Sequence, residues 1–136
     1  MRPLARKAVL VMGILAAITG LFGCGGSPSI DHDALEADLR SRLDLIQESE
    51  VVKADWFRSG LGEAIEVELQ LARDDEALGE AVARQGMDAI AETAVAADYS
   101  RDATIKLWIR GTDGEVLVRA RDLGLPDVLS TLLESR

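Results

Sequence analysis

The chain of 136 residues has one cysteine, one histidine, one tyrosine, two tryptophans and three prolines. A single cysteine excludes any disulfide within the chain. A single histidine, His32, excludes the closed Cys/His sets that hold structural zinc. Aromatic residues make up only 4% of the sequence, so each one carries weight. Basic residues are also scarce, 15 against 24 acidic. That balance argues against a nucleic-acid partner, whose phosphates call for the opposite sign. Long apolar runs are missing too. The one candidate, from Ala8 to Leu21, is shorter than the roughly 20 apolar residues a membrane-crossing helix needs and is diluted by Gly13, Thr19 and Gly20.

What is present is an ordered start. Arg2, Arg6 and Lys7 precede the apolar stretch Ala8–Ile18, and small residues follow at Thr19, Gly20 and Gly23 before Cys24. A cationic segment, a short apolar segment and small residues at a cut are the parts of a secretory signal. Leu21-Phe22-Gly23-Cys24 resembles the lipobox of bacterial lipoproteins, with an aliphatic residue three before the cysteine and a small one just before it. Phe22 is bulkier than the residue usual there. The resemblance implies a signal peptide over 1–23 and a diacylglyceryl thioether on Cys24, with the mature protein exported and held by lipid at the outer face of the cell membrane. An outer-membrane home stays open for a Gram-negative source, since Gly25 is not an inner-membrane retention signal. Two acyl chains suffice for stable anchoring. The competing readings are a plain membrane span and a soluble product cut near Ala16-Ala17, which would leave Cys24 a lone thiol in an oxidising compartment.

Removal of residues 1–23 discards Arg2, Arg6 and Lys7 and leaves 12 basic residues against 24 acidic, a net charge of −12. The remaining 113 residues are one domain by size. Residues 24–30 read as the lipidated cysteine and a flexible tether. Its Gly25-Gly26-Ser27-Pro28-Ser29 stretch reaches at most about 18 Å. Residues 31–136 read as a single α+β domain.

Within that domain, Asp33 and Glu36 have capping-box spacing, and Leu35, Leu39, Leu43 and Ile46 form one helical stripe. Strands are expected at 51–58 and 63–71 around the loop Ser59-Gly60-Leu61-Gly62. Pairing Arg58 with Glu63 sets Trp56 opposite Ile65, Ala54 opposite Val67 and Val52 opposite Leu69. Trp56 then belongs to the core. A long helix over 75–97, capped by Asp74 or Asp75, carries the stripe Leu78, Val82, Gly86, Ile90, Ala94 and Ala97. Its small residues would let it sit close to a sheet. Strands over 103–110 and 115–121 flank Gly111-Thr112-Asp113-Gly114, a strong hairpin signal. Pairing Arg110 with Glu115 sets Trp108 opposite Leu117. A short helix should begin at Pro126.

The expected fold is a two-layer α/β sandwich in αββαββα order. Its four-stranded, largely antiparallel sheet consists of two hairpins with helices on one face. The two αββ halves are only loosely alike in sequence. The layout resembles small exported lipoproteins of high-GC Gram-positive bacteria, and ten arginines against two lysines after Cys24 agree with a GC-rich source. That resemblance is one of element order; it implies no particular activity.

Catalytic groups are hard to assemble. His32 sits between Asp31 and Asp33, ligand types for a divalent metal, yet three consecutive residues cannot close a site, and an acidic helix start is the simpler reading. No metal or cofactor is expected. No hydroxyl lies in a recognisable nucleophile pattern, and neither glycine loop precedes a helix, as a phosphate cradle requires. The outer sheet face is the remaining candidate. There Trp108, Arg110, Leu117, Arg119 and Arg121 gather on an otherwise acidic protein, and tryptophan and arginine are enriched at binding hot spots. The expectation is a non-enzymatic binding module that takes a protein or an anionic ligand on this face. Self-association of the face, as a homodimer or an envelope component, is the alternative; an unrecognised enzyme is the third.

Overall fold

The computed structural model describes residues 29–136. The expected signal peptide, Cys24 and the tether through Pro28 lie outside them. Helix α1 spans His32–Leu43. Its N-cap is Asp31, whose side chain accepts from Ala34 N at 3.0 Å. The helix therefore begins ahead of Asp33, the cap that the capping-box spacing predicts. Glu36 closes no capping box either; it reaches across to accept the backbone N–H of Trp56 at 2.9 Å. Leu35, Leu39, Leu43 and Ile46 are buried, as their spacing requires.

Strands β1 (Ser49–Ser59) and β2 (Gly62–Leu71) form the first hairpin. Arg58 pairs with Glu63, Trp56 with Ile65 and Ala54 with Val67 as expected. Beyond Ala54 the register shifts through a bulge, so Leu69 faces Val51 and Val52 is half exposed. The expected pairing of Val52 with Leu69 is therefore incorrect. An extra residue on one strand cannot be read from alternation alone.

Helix α2 spans Glu76–Ala96 and is capped by Asp75, which accepts from Leu78 N. Its 21 residues rise about 31 Å, close to the roughly 33 Å covered by the ten residues of β2. The helix thus returns the chain to the end of the sheet where β2 began. Strand β3 (Thr104–Arg110) consequently runs parallel to β2, Ala64 pairing with Thr104 and Gln70 with Arg110. Strand β4 (Val116–Arg119) returns antiparallel, and the strand order is β1-β2-β3-β4. The fold is α+β in αββαββα order, with a sheet that is largely antiparallel and joined at its centre by one parallel pair.

Helices α1 and α2 pack on the face that carries Trp56, Ile65, Val67, Leu69, Leu107 and Ile109, all at most 2% exposed. The buried side of α2 is wider than its predicted stripe. It includes Ala83, Met87, Ala89 and Ala91, because α1 and the last helix flank it while Ala97 is an exposed C-cap. The close approach expected from its small residues is present. A Cβ on Gly86 would meet the Leu107 side chain at 3.2 Å, and one on Gly79 would meet Val118 at 3.0 Å.

The second hairpin departs more from expectation. A shift between Ile109 and Arg110 pairs Arg110 with Val116, Ile109 with Val118 and Trp108 with Arg119. Leu117 is the extra residue, and it does not oppose Trp108. After Arg119 the chain turns into one 3₁₀ turn over Ala120–Leu123, closed by Gly124 at φ 76. Pro126 does not start the last helix. Residues 126–128 pass beside β3, with Ile105 N donating to Asp127 O at 2.8 Å and Val128 bridging Thr104. Helix α3 spans Leu129–Glu134. No side chain of its own caps it; Asp102 accepts from both Ser130 N and the Ser130 hydroxyl.

Candidate functional site

Alternation along β3 sends Ile105, Leu107 and Ile109 inward and leaves Lys106, Trp108 and Arg110 on the outer face. The bulge in β4 then sets Arg119 directly across from Trp108, with its guanidinium carbon 5.9 Å from the ring centroid. That distance is within cation–π range. Trp108 is half-buried, so one part of the ring remains available.

The cations of this face fall into two groups. Arg110 Nε donates to Glu68 at 2.7 Å and its guanidinium also donates to Gly114 O at 2.6 Å. Lys53 donates to Glu66 at 2.6 Å, which holds its ammonium above the usual lysine range, with Asp55 and Glu68 adding to the effect. These two residues are engaged within the sheet. Lys106, Arg119 and Arg121 are different. Among the described residues none of the three has a carboxylate oxygen within 4.0 Å.

The unpaired cations share one recess. Its volume is about 260 Å³, and Thr104, Lys106, Trp108, Arg119, Arg121 and Asp127 contribute to its walls. The recess exists because the neighbour of β3 changes along its length. β4 flanks its C-terminal half, residues 126–128 flank its N-terminal half, and the 3₁₀ turn carries the chain round between them. A smaller hollow of about 120 Å³ lies towards β2, bounded by Lys53, Glu66, Glu68, Lys106 and Trp108. Trp108 and Lys106 border both. Of the residues singled out from the sequence, Trp108, Arg119 and Arg121 meet at the recess. Arg110 is tied to Glu68 and Gly114, and Leu117, 42% exposed, lines neither hollow. Lys106 belongs with the first three.

A second cluster sits at the end of the sheet where β2 begins. Glu63 has the same parity as Ile65, Val67 and Leu69, and its side chain is only 2% exposed. His32 Nε2 lies 2.6 Å from Glu63 Oε1, and the Tyr99 hydroxyl donates to the same oxygen at 3.0 Å. The left-handed Asp98 (φ 52) ends α2 and directs the chain so that Tyr99 N reaches Ala94 O. Tyr99 then packs edge-on against Trp56, ring centroids 5.0 Å apart at 69°. Burial pushes the Tyr99 hydroxyl up to about 12. The Trp56 indole N–H, close by but outside hydrogen-bond geometry, opposes the rise, and Glu63 reinforces it. The sequence neighbours of His32 do not reveal this cluster, because its members are 31 and 36 residues apart. The signal was the parity of Glu63: an acidic residue at an inward position needs a partner.

No protein-family model matches the chain, and neither a curated protein nor a solved structure shows significant similarity to it.

Proposed function

We propose that this chain is an exported, lipid-anchored bacterial lipoprotein whose α+β domain is a non-enzymatic binding module for anionic groups. Arg2, Arg6, Lys7, the Ala8–Ile18 stretch and Leu21-Phe22-Gly23-Cys24 support the anchor. The observation that carries the binding reading is the gathering of Lys106, Arg119 and Arg121 around Trp108 without carboxylate partners, in a chain with 24 acidic residues. No carboxylate oxygen of the described residues comes within 4.0 Å of the three, that of Asp127 in the recess wall included.

The non-enzymatic part rests on how the candidate chemical groups are engaged. His32 is committed to a carboxylate that is itself out of solvent reach. Hydroxyls at Ser41, Ser49 and Thr93 donate to backbone carbonyls, and Ser130 donates to Asp102. A symmetric dimer through the recess would set arginine against arginine, so an acidic ligand or partner fits this face better than a second copy related by a two-fold axis.

Two measurements test the reading. Metabolic palmitate labelling should mark the wild type and disappear in Cys24→Ser; label persisting in that variant would overturn the anchor. For the face, a species that co-purifies with the wild type from solubilised envelopes should be lost with the double variant Trp108→Ala/Arg119→Glu, at unchanged circular dichroism. Equal recovery with both proteins would remove the face from the proposal.

A further inference from the structure

We infer that the Lys106–Arg119–Arg121 recess takes the phosphate of an anionic phospholipid headgroup in the membrane that holds the anchor. This inference rests on the lipid-anchor reading above.

The position of the recess within the domain is the first argument. The described domain begins at the end of the sheet where β2 and β3 both start: His32 touches Glu63 there, and the Thr104 hydroxyl lies 3.5 Å from Glu63 O. Thr104 is also the first residue of the recess wall. Lys106 is two residues further along β3 and Trp108 four, about 7 and 13 Å at a strand's rise. Arg121 follows Arg119 on a chain running the opposite way, which brings it back towards that same end. From Cys24 to Ile30 there are six residue steps, about 21 Å when extended. The described cations thus lie towards the end of the sheet at which the domain begins, on the face opposite the helices.

Charge supplies the second argument. With a net charge of −12 after Cys24, the domain as a whole is repelled by an anionic surface. Screening confines that repulsion to about one Debye length, roughly 8 Å. A tethered body with one cationic recess and an acidic remainder is turned by such a field: the recess moves towards the lipid and most of the acids move away. The recess also has the chemistry a headgroup phosphate needs. Two guanidinium groups and one ammonium offer charge-assisted donors, and Trp108 is an amphipathic ring of the kind that settles at the membrane–water interface. Asp127, at the rim, limits how much anionic charge the recess accepts and favours a single phosphate over a polyanion.

The test uses the full lipidated chain reconstituted in vesicles. Emission of Trp108 is followed while a headgroup-spin-labelled lipid quenches it, and a Trp108→Phe chain supplies the background from the buried Trp56. Vesicles of phosphatidylglycerol mixed with phosphatidylcholine should quench Trp108 more than vesicles of phosphatidylcholine alone. Each basic residue near an anionic surface contributes about fivefold in association. Lys106→Glu/Arg121→Glu should therefore bring the quenching down to the phosphatidylcholine level, and the matched charge change Arg40→Glu/Arg84→Glu on the helices should not.

Equal quenching in the two kinds of vesicle, or quenching unaffected by the recess variant, overturns the inference. So does inorganic phosphate perturbing Trp108 while phosphatidylglycerol has no effect; that outcome assigns the recess to a soluble anion and leaves the binding face intact. Loss of the anchor reading is registered separately, by the absence of palmitate on the wild-type chain.

Discussion

His32 Nε2 and Glu63 Oε1 lie 2.6 Å apart and join the first turn of α1 to the start of β2. The contact is the polar counterpart of the α1–sheet packing. Leu35, Leu39 and Leu43 bury the apolar stripe, and His32 gives the carboxylate beside that stripe a partner. Removing one member of a buried pair costs more than the pair itself contributes, because the other is left uncompensated.

His32→Ala should therefore lower the unfolding free energy by about 2–3 kcal/mol, with the 30% exposure of His32 keeping it below the full range for buried pairs. Urea midpoints compared with wild type measure this. A double change of His32 and Glu63 to apolar residues should recover part of the loss, since it leaves no buried carboxylate short of a partner, although the Tyr99 hydroxyl then loses its acceptor.

Tyr99 predicts an alkaline loss of stability. Its hydroxyl is raised from the ordinary value near 10 to about 12, chiefly by burial, so folding favours the neutral phenol. The corresponding stabilisation is complete below about pH 10 and is lost as the pH rises to about 12. Two units correspond to about 2.7 kcal/mol at full weight, and solvent access to this half-buried ring reduces that to about 1 kcal/mol. Tyr99→Phe should flatten this part of the profile measured by urea titration at successive pH values. A residual slope from Lys53, also raised, should persist in the variant.

Asp102 predicts an acid effect of the opposite sense. Burial raises its carboxyl, but donation from Ser130 N, the Ser130 hydroxyl and Ala103 N outweighs that and leaves it below the usual aspartate range. The contribution is present above the ordinary aspartate value near 3.9 and fades as the pH falls through the lower folded value. Hydrogen exchange in Leu129–Glu134 should rise under acid before the sheet is affected, and Asp102→Ala should reproduce that loosening at neutral pH.

The arginines of the outer face should separate by role. Arg110 ties Glu68 to the loop carbonyl of Gly114, so Arg110→Ala should cost about 1–2 kcal/mol of stability. Arg119→Ala loses only a cation–π contact and should cost about 0.5–1 kcal/mol. Arg121→Ala should stay within about 0.5 kcal/mol of wild type. Thermal melts of the three variants give the order.

The loop of the second hairpin carries a further constraint. Asp74 accepts from Thr112 N at 2.7 Å and from the Thr112 hydroxyl at 2.9 Å. A Cβ on Gly111 would come within 2.5 Å of Asp74 Oδ1. Gly111→Ala should displace that carboxylate and cost about 1–2 kcal/mol through the lost hydrogen bonds; Asp74→Ala should cost a similar amount, and the two effects should not add.

Much of this architecture is legible in short-range pattern. Leu35, Leu39 and Leu43 recur at helical spacing, Ile65, Val67 and Leu69 alternate, and Asp75 precedes its helix, because each depends on residues a few positions apart. The inward parity of Glu63 was equally visible, but its partners His32 and Tyr99 lie 31 and 36 residues away. The recess was half visible. Alternation places Trp108 and Arg119 on the outer face, whereas a bulge displaces Leu117, and only the fold shows that no carboxylate oxygen of the described residues comes within 4.0 Å of Lys106, although Glu66 is its register partner on β2.

By itself the sequence determined the order of helices and strands, the two glycine hairpins, the apolar faces and the acidic charge balance, all of which follow from local periodicity and composition. Tertiary structure alone decided that β2 and β3 run parallel, that each hairpin carries a bulge and that Glu63 shares one oxygen between His32 and Tyr99. It also decided which cations remain free beside Trp108. Those outcomes depend on which distant surfaces come together, and a difference of one residue in register exchanges a side chain's neighbours without changing the local pattern that placed it in a strand.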